Sequence, residues 1–313
     1  MKRTTVGGQA VIEGVMMRNG KKCAIAVRKP DHTIEMKKMI QTSVTEKYPF
    51  LRLPILRGVV NFIESMVVGI QTLTYSASFY EEEEVEESKF DRWFENTFKD
   101  KAETILMGFT VIVALFMSIG IFMVLPYLMT GFLEGRVASH TVVLILEGIL
   151  RILIFLGYII LISRMEDIQR VFMYHGAEHK TINCLEHGED LTPENVKKYS
   201  RLHKRCGTSF LFIVMFISIF FFFFIKTDTV WMRIVSRLLL IPVIAGVSYE
   251  FIRFAGRSNM RIVNILSKPG MMLQKLTTRE PDAEMIEVAI KSVEGVMDWK
   301  TYVQAVRNGE IED

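Results

Sequence analysis

The chain has 313 residues, half of them apolar, with 22 Phe and 19 Met, and its charged residues are gathered into particular segments, which is the signature of an integral membrane protein. A formal charge of +3, with 35 acidic residues offsetting the basic ones, excludes a nucleic-acid surface. Three cysteines at unrelated spacings exclude a disulfide framework, and reduced thiols are expected.

The N-terminus, MKRTTVGGQA, has two basic residues with no apolar run behind them. No secretory signal peptide is expected, and insertion relies on the internal spans. From Val6 the chain reads VGGQAVIEGVMMR, then Asn19-Gly20, then KKCAIAVR, a turn at Lys29 to His32, and a last alternating run to Lys38. Asn-Gly between apolar runs predicts a tight hairpin with positive φ at both turn positions. The expectation is three short antiparallel strands, a small β unit over residues 1–48 outside the membrane. Glu13 is unusual in an apolar strand; it and Arg18 are polar candidates for function, the alternative being a solvated edge. The tripeptide Gly7-Gly8-Gln9 also occurs in peptide-chain release factors, but no basic RNA-binding face surrounds it here, and it reads as a flexible turn before a strand.

Residues 49–80 carry apolar positions at helical spacing, among them Leu56, Val59, Ile63, Val67 and Ile70, with Arg57, Asn61, Glu64 and Gln71 on the other side. This predicts an amphipathic helix at the membrane interface. Residues 81–104 follow as an acidic linker, Glu81 to Glu87, and a juxtamembrane helix bearing Trp93, Phe94 and Phe98.

Residues 105–252 form a membrane domain of about four transmembrane helices, each near the roughly 20 residues needed to cross the hydrocarbon core. The expected spans are Ile105 to Thr130, Thr141 to Ser163, Thr208 to Ile225, and Trp231 to Phe251, the last interrupted by Pro242 and Gly246. Glu147 and Arg151, four apart in the second span, are expected to pair along one face. Arg237 is expected to snorkel or to pair with Glu147. Lys and Arg crowd the connection after span two and the tail after span four, whereas the loop after span one has Arg136 alone. Both termini and the loop 164–207 should therefore be cytoplasmic. Residues 253–313 make a cytoplasmic helical tail, with a turn at Ser267 to Gly270 and a helix starting at Glu280-Pro281-Asp282. The fold class is thus a mainly α membrane protein with a small N-terminal antiparallel β unit and cytoplasmic amphipathic helices.

The loop 164–207 concentrates the chemistry. Between Tyr174 and Phe210 lie four of the six histidines and two of the three cysteines. His175, Glu178 and His179 fit H-x-x-E-H, in which two imidazoles one helical turn apart hold one divalent metal, zinc before others, and the carboxylate activates its water. Gly176 weakens the case for a helix there. A third ligand is required, and His203, Cys206, His187 and Glu250 remain open. The alternative is a set of hydrogen-bonded histidines at headgroup level with no metal.

The segments GGQAVIEGVMMR (Gly7 to Arg18), YHGAEHKTI (Tyr174 to Ile182), RCGTSF (Arg205 to Phe210), SYE (Ser248 to Glu250) and LTTREP (Leu276 to Pro281) together resemble the bacterial family named domain of unknown function 1385. The resemblance spans almost the whole chain; it implies a multi-pass protein of the bacterial cytoplasmic membrane and a metal-dependent enzyme, and carries no reaction. Lys204 stands where the family pattern has proline, which touches the local turn alone. The leading expectation is a metal-dependent hydrolase at the cytoplasmic membrane face, with Glu178 as general base. The alternatives are a scaffold or regulator whose β unit and C-terminal helix bind a cytoplasmic protein, and a small-solute or ion transporter using Glu147 and Arg151. The lipid bilayer is the expected partner, nucleic acid is not, and self-association into a homo-oligomer stays open.

Overall fold

The computed structural model of the protein describes residues 4–80, 102–131, 140–225, 229–258 and 260–310. The acidic run Glu81 to Glu87, the aromatic residues Trp93, Phe94 and Phe98, and Arg136 lie outside these residues. Two compact units form, Met1–Tyr80 with Ile159–Asp313, and Glu81–Tyr158.

In the first unit, β1 (Val6–Val11), β2 (Gly14–Asn19), β3 (Lys22–Arg28) and β4 (Ile34–Ile40) make an antiparallel sheet in sequence order. This corrects the expected three strands. The run Val6 to Arg18, expected as one strand, folds back at Ile12 and Glu13, so that Val11 pairs with Gly14. Glu13 takes φ 48°, a conformation uncommon for a residue with a Cβ, and its carboxylate receives both Arg170 and the Tyr174 hydroxyl. Tertiary contacts thus hold a turn that no Asn or Pro announces. At the next hairpin Asn19 pairs with Lys22, leaving Gly20 and Lys21 as the central residues. Gly20 has φ 60° and Lys21 does not, the pattern of a type II′ turn rather than one centred on Asn-Gly.

Both faces of the sheet are covered, which is why β2 and β3 read as near-continuous apolar runs. Val15, Met17, Ala24 and Ala26 join one core with α6 (Glu166–Glu186) and α11 (Ala283–Val296). Val11, Met16, Cys23, Ile25 and Val27 join a second with Val68 of α2 (Leu56–Ala77). Ile286, Val288 and Val293 of α11 are fully buried, each contributing about 1.5–3 kcal/mol. The helix expected to start at Glu280-Pro281-Asp282 begins at Ala283, with Asp282 as its cap accepting the Met285 amide at 2.8 Å. Residues of the expected β unit and of the expected tail therefore share one core.

Helix α2 follows a short α1 (Val44–Lys47), whose start donates to the buried Glu64 from the Val44 amide at 2.6 Å and the Ser43 hydroxyl at 3.0 Å. Helix α2 packs on α9 (Val230–Arg257), where Gly58 and Gly246 leave no room for a Cβ on either side. Helix α9 runs unbroken through Pro242. After α7 (Pro193–Lys197), helix α8 (Gly207–Phe223) packs against both α9 and α10 (Arg261–Thr277). Helix α10 passes straight through Pro269-Gly270, where a turn is expected; Gly270 is needed because a Cβ would stand 2.9 Å from that of Ser209. A last helix, α12 (Trp299–Arg307), closes on α6.

The second unit holds α3 (Ala102–Ile119), a π-helical turn at Gly120–Val124, α4 (Leu125–Gly131) and most of α5 (His140–Ile162). Phe122 meets Phe155 and Tyr158 edge-on at 6.0 and 5.5 Å. Arg151 donates to Glu147 at 2.8 Å, the expected pair along one face.

Among the described residues three helices are long and apolar enough to cross a membrane: Ile105–Gly131, Thr141–Ile162 and Trp231–Ala255. The expectation is about four. The remaining candidate, α8, is an apolar helix of 17 residues, about 25 Å long, at the short end of the roughly 17–25 residues that spanning helices use.

Candidate functional site

Residues 164–207, expected as a loop, begin with the helix α6, which takes up 21 of them. Its start is acidic, Glu166 and Asp167, as suits a helix N-terminus, and every residue from Tyr174 to Glu186 is buried. Gly176, which speaks against a helix in the sequence, has a tertiary reason to be there. A Cβ on it would lie 2.0 Å from the Arg279 carbonyl oxygen, because the segment after α10 crosses α6 at this point. The Arg279 amide donates to the Phe172 carbonyl at 2.8 Å and fixes the crossing.

His175 and His179 project from one face of α6, their rings 4.4 Å apart. Each is oriented through Nδ1 by a backbone carbonyl from a distant segment: His175 by Thr277 at 2.8 Å and His179 by Arg201 at 2.7 Å. Both therefore carry the proton on Nδ1 when neutral and turn the Nε2 lone pair the other way. Cys206, the N-cap of α8, brings its Sγ to 3.1 Å from His175 Nε2. The three ligand atoms lie within 4.8 Å of one another. A tetrahedral zinc with Zn–N near 2.05 Å and Zn–S near 2.3 Å separates N and S by about 3.5 Å, within the range seen here.

Two buried polar atoms beside this cluster, His179 Nε2 and Glu178 Oε2, have no hydrogen-bond partner among the described residues. Burial pushes the Glu178 carboxyl up to about 7, against the opposing effects of His175 and of the Gly8 amide. Burial likewise holds His179 below the usual imidazole range, outweighing the neighbouring Cys206 and the Arg201 carbonyl. Strand β1 closes one side: a Cβ on Gly8 would meet the Met16 carbonyl at 2.7 Å and the Glu178 carboxyl carbon at 3.0 Å. The Gly7-Gly8-Gln9 segment is thus strand, not turn, and Gly8 is what lets that strand approach the carboxylate. The same strand places Gln9 against Gly69 of α2.

The other sequence candidates stand apart from the three ligand atoms. The His203 ring lies 5.8 Å from that of His179, and its Nε2 faces Glu186 at 3.5 Å. Glu186 is fully buried and also receives Thr4 and Arg205. Burial raises the Glu186 carboxyl, but His203, Arg205 and the Thr4 amide together bring it below the usual range. The Glu250 carboxylate is gripped by the Arg57 guanidinium, with Nε to Oε1 at 2.5 Å. His187 donates from Nδ1 to a carbonyl of its own helix, that of Asn183, at 2.7 Å. Glu13 ties the first turn to α6 through Arg170 and Tyr174, and Arg18 is half-buried, donating to the Gly20 carbonyl at 3.0 Å. Glu147 and Arg151 belong to the other unit. Sequence reasoning passed over Gln274, which is fully buried in α10 and bridges the His203 carbonyl and the Ser209 hydroxyl at 2.8 and 2.9 Å while accepting the His203 amide. It holds the segment that carries Cys206. A lone amide in an amphipathic helix gives no sequence signal for that role.

A protein of Bacillus subtilis (strain 168), the uncharacterized protein YqhQ, is 33% identical over 289 residues, covering 91% of this chain and 90% of its own. No solved structure matches the chain. The model of the family described as protein of unknown function (DUF1385) matches residues 53–299, which include α6, Cys206 and the Thr277 segment. The chain belongs to the DUF1385 family.

Proposed function

We propose that the protein is a metal-dependent integral membrane enzyme, a hydrolase, whose divalent metal is held by His175, His179 and Cys206 with Glu178 as general base. One observation carries this. Two histidines are fixed through Nδ1 by carbonyls so that both Nε2 atoms and a thiol converge within 4.8 Å, beside a buried carboxylate oxygen that has no partner among the described residues. Zinc suits two imidazoles and one thiolate, and three protein ligands leave a fourth position for water or substrate. Bound there, the metal would lower the pKa of a water it holds and polarise the bond to be cleaved. Glu178 accepts and returns the proton, while β1 and the 277–281 segment keep bulk water from it.

The protein is placed at the cytoplasmic face of a bacterial inner membrane, multi-pass, with both termini cytoplasmic. Support comes from the apolar spans and from the concentration of Lys and Arg after the second of them. The test is metal analysis of the purified protein beside His179→Ala and Cys206→Ser. About one zinc, iron or manganese per chain in the wild type, lost in both variants, is the expected result. No metal in a wild type expressed with metal supplied and purified without chelators would overturn the proposal.

A further inference from the structure

A cavity of about 480 Å³ is lined by Arg201, Lys275, Arg279 and Glu280, together with Ser163, Met173, Leu276 and Thr278. Its size falls in the range of about 300–1,000 Å³ usual for small-molecule sites. Its walls are the segments that orient the histidines: Arg201 gives its carbonyl to His179, and Thr277, two residues past Lys275, gives its own to His175. The cavity and the cluster thus share the segments around Arg201 and Thr277, and none of the ligand residues lines the cavity itself.

The charge is one-sided. Three cations line the space against one carboxylate, and Glu280 is shared between Lys180 at 2.9 Å, outside the lining, and Arg201 at 3.6 Å. The two guanidiniums are held in place from behind. Arg201 donates to the Thr278 carbonyl, and Arg279 donates to Gln169 Oε1 at 2.9 Å and the Ser163 carbonyl at 3.0 Å. Each keeps further N–H donors, and Lys275 has no partner among the described residues. Fixed planar guanidiniums beside a free ammonium suit a phosphate group. Met173 and Leu276 give the cavity an apolar edge. Ile262, Ile265, Leu266 and Met272 of α10 are exposed, and Ser163 directly follows the candidate span Thr141–Ile162 in the chain, which suits an opening near lipid headgroups.

We infer that this cavity receives the phosphate of the substrate handled at the His175–His179–Cys206 site, a phosphate mono- or diester. This rests on the proposed function for its link to chemistry, while phosphate binding itself stands on the cavity alone. The phosphate comes either from a membrane lipid headgroup or from a soluble ester, and the same residues would hold both.

The full-length protein in uncharged detergent is titrated with inorganic phosphate and glycerol 3-phosphate, and in nanodiscs of phosphatidylcholine with and without phosphatidic acid. The variants are Lys275→Glu, Lys275→Gln, Lys38→Glu as an exposed lysine with the same charge change, and His179→Ala. Binding weakened at least tenfold by Lys275→Glu, several-fold by Lys275→Gln and not by Lys38→Glu supports the assignment. Saturation by the soluble phosphates identifies a soluble ester; binding seen in phosphatidic-acid nanodiscs alone identifies a headgroup. His179→Ala that retains phosphate binding while losing metal separates the cavity from the metal proposal. If neither phosphate nor phosphatidic acid binds, or if Lys275→Glu and Lys38→Glu weaken binding equally, the inference is wrong. Both lysines are exposed, and unchanged melting of the variants checks folding.

Discussion

Gly176→Ala tests how the cluster is built. A Cβ at this position starts 2.0 Å from the Arg279 carbonyl oxygen, whereas ordinary contact begins near 3.4 Å, so α6 and the 277–281 segment must part by about 1.4 Å. Backbone stands on both sides, so no rotamer change relieves the clash. A shift of that size stretches the 2.8 Å contact between His175 Nδ1 and the Thr277 carbonyl to about 4 Å, beyond hydrogen-bond range. It also strains the amide bond from Arg279 to Phe172. Overpacking costs about 1–3 kcal/mol and the weakened hydrogen bond about 1 kcal/mol more. For a chain of this size that lowers the melting midpoint by about 3–6 °C. Metal affinity, measured by competition with a chromophoric chelator, should fall about 10–100-fold through loss of the carbonyl that orients His175. The comparison is Gly157→Ala, where nothing lies within 4 Å and alanine favours the helix; its midpoint should hold or rise. Equal melting and equal metal affinity for Gly176→Ala and the wild type would refute the crossing.

Other outcomes follow from the buried charges. Burial holds the Glu178 carboxyl near 7 in the metal-free protein against an ordinary value of 4.5, so the folded state keeps a proton that the unfolded chain releases. Metal-free stability is then greatest below pH 4.5 on this account and falls by a few kcal/mol, roughly, as pH rises through about 7. Glu178→Gln should remove that slope while abolishing hydrolysis; denaturant midpoints across the pH range read the first effect, and an unchanged slope would sink it. Glu186 has the opposite sign. Its folded carboxyl lies below the usual range, so its contribution is present above the unfolded value and lost as acid protonates it, and Glu186→Gln should cost about 2–4 kcal/mol at neutral pH and flatten the acid limb. Chelator treatment should lower the melting point of the wild type and leave that of Cys206→Ser in place, as seen by fluorescence.

The histidine pair was legible because its signal is local: H-x-x-E-H spacing needs a single helix to put both rings on one face. The third member of the cluster was not. Cys206, His203, His187 and Glu250 were equivalent in the sequence, and what distinguishes them is who else reaches them. Glu250 faces Arg57, 193 residues earlier, and His203 faces Glu186, while Cys206 at the start of α8 is turned to His175. Glycine misled for the same reason. Gly176, Gly270 and Gly8 serve contacts between distant segments, so local rules read them as breaks where the structure has helix or strand. Likewise Ile12 and Glu13 turn without a turn residue because Arg170 and Tyr174 hold the carboxylate. The apolar helices were plain from composition, α8 with its run of phenylalanines being the shortest of them.

The carbonyl on His175 has a consequence for timing. Thr277 lies 102 positions beyond the histidine it orients, so at roughly 5–20 residues per second a ribosome needs about 5–20 s to supply it after His175 is made. Through that interval the H-x-x-E-H motif exists while one of its imidazoles is free to turn. The geometry belongs to the finished chain, and a polypeptide cut short before α10 is complete would carry the motif without the cluster.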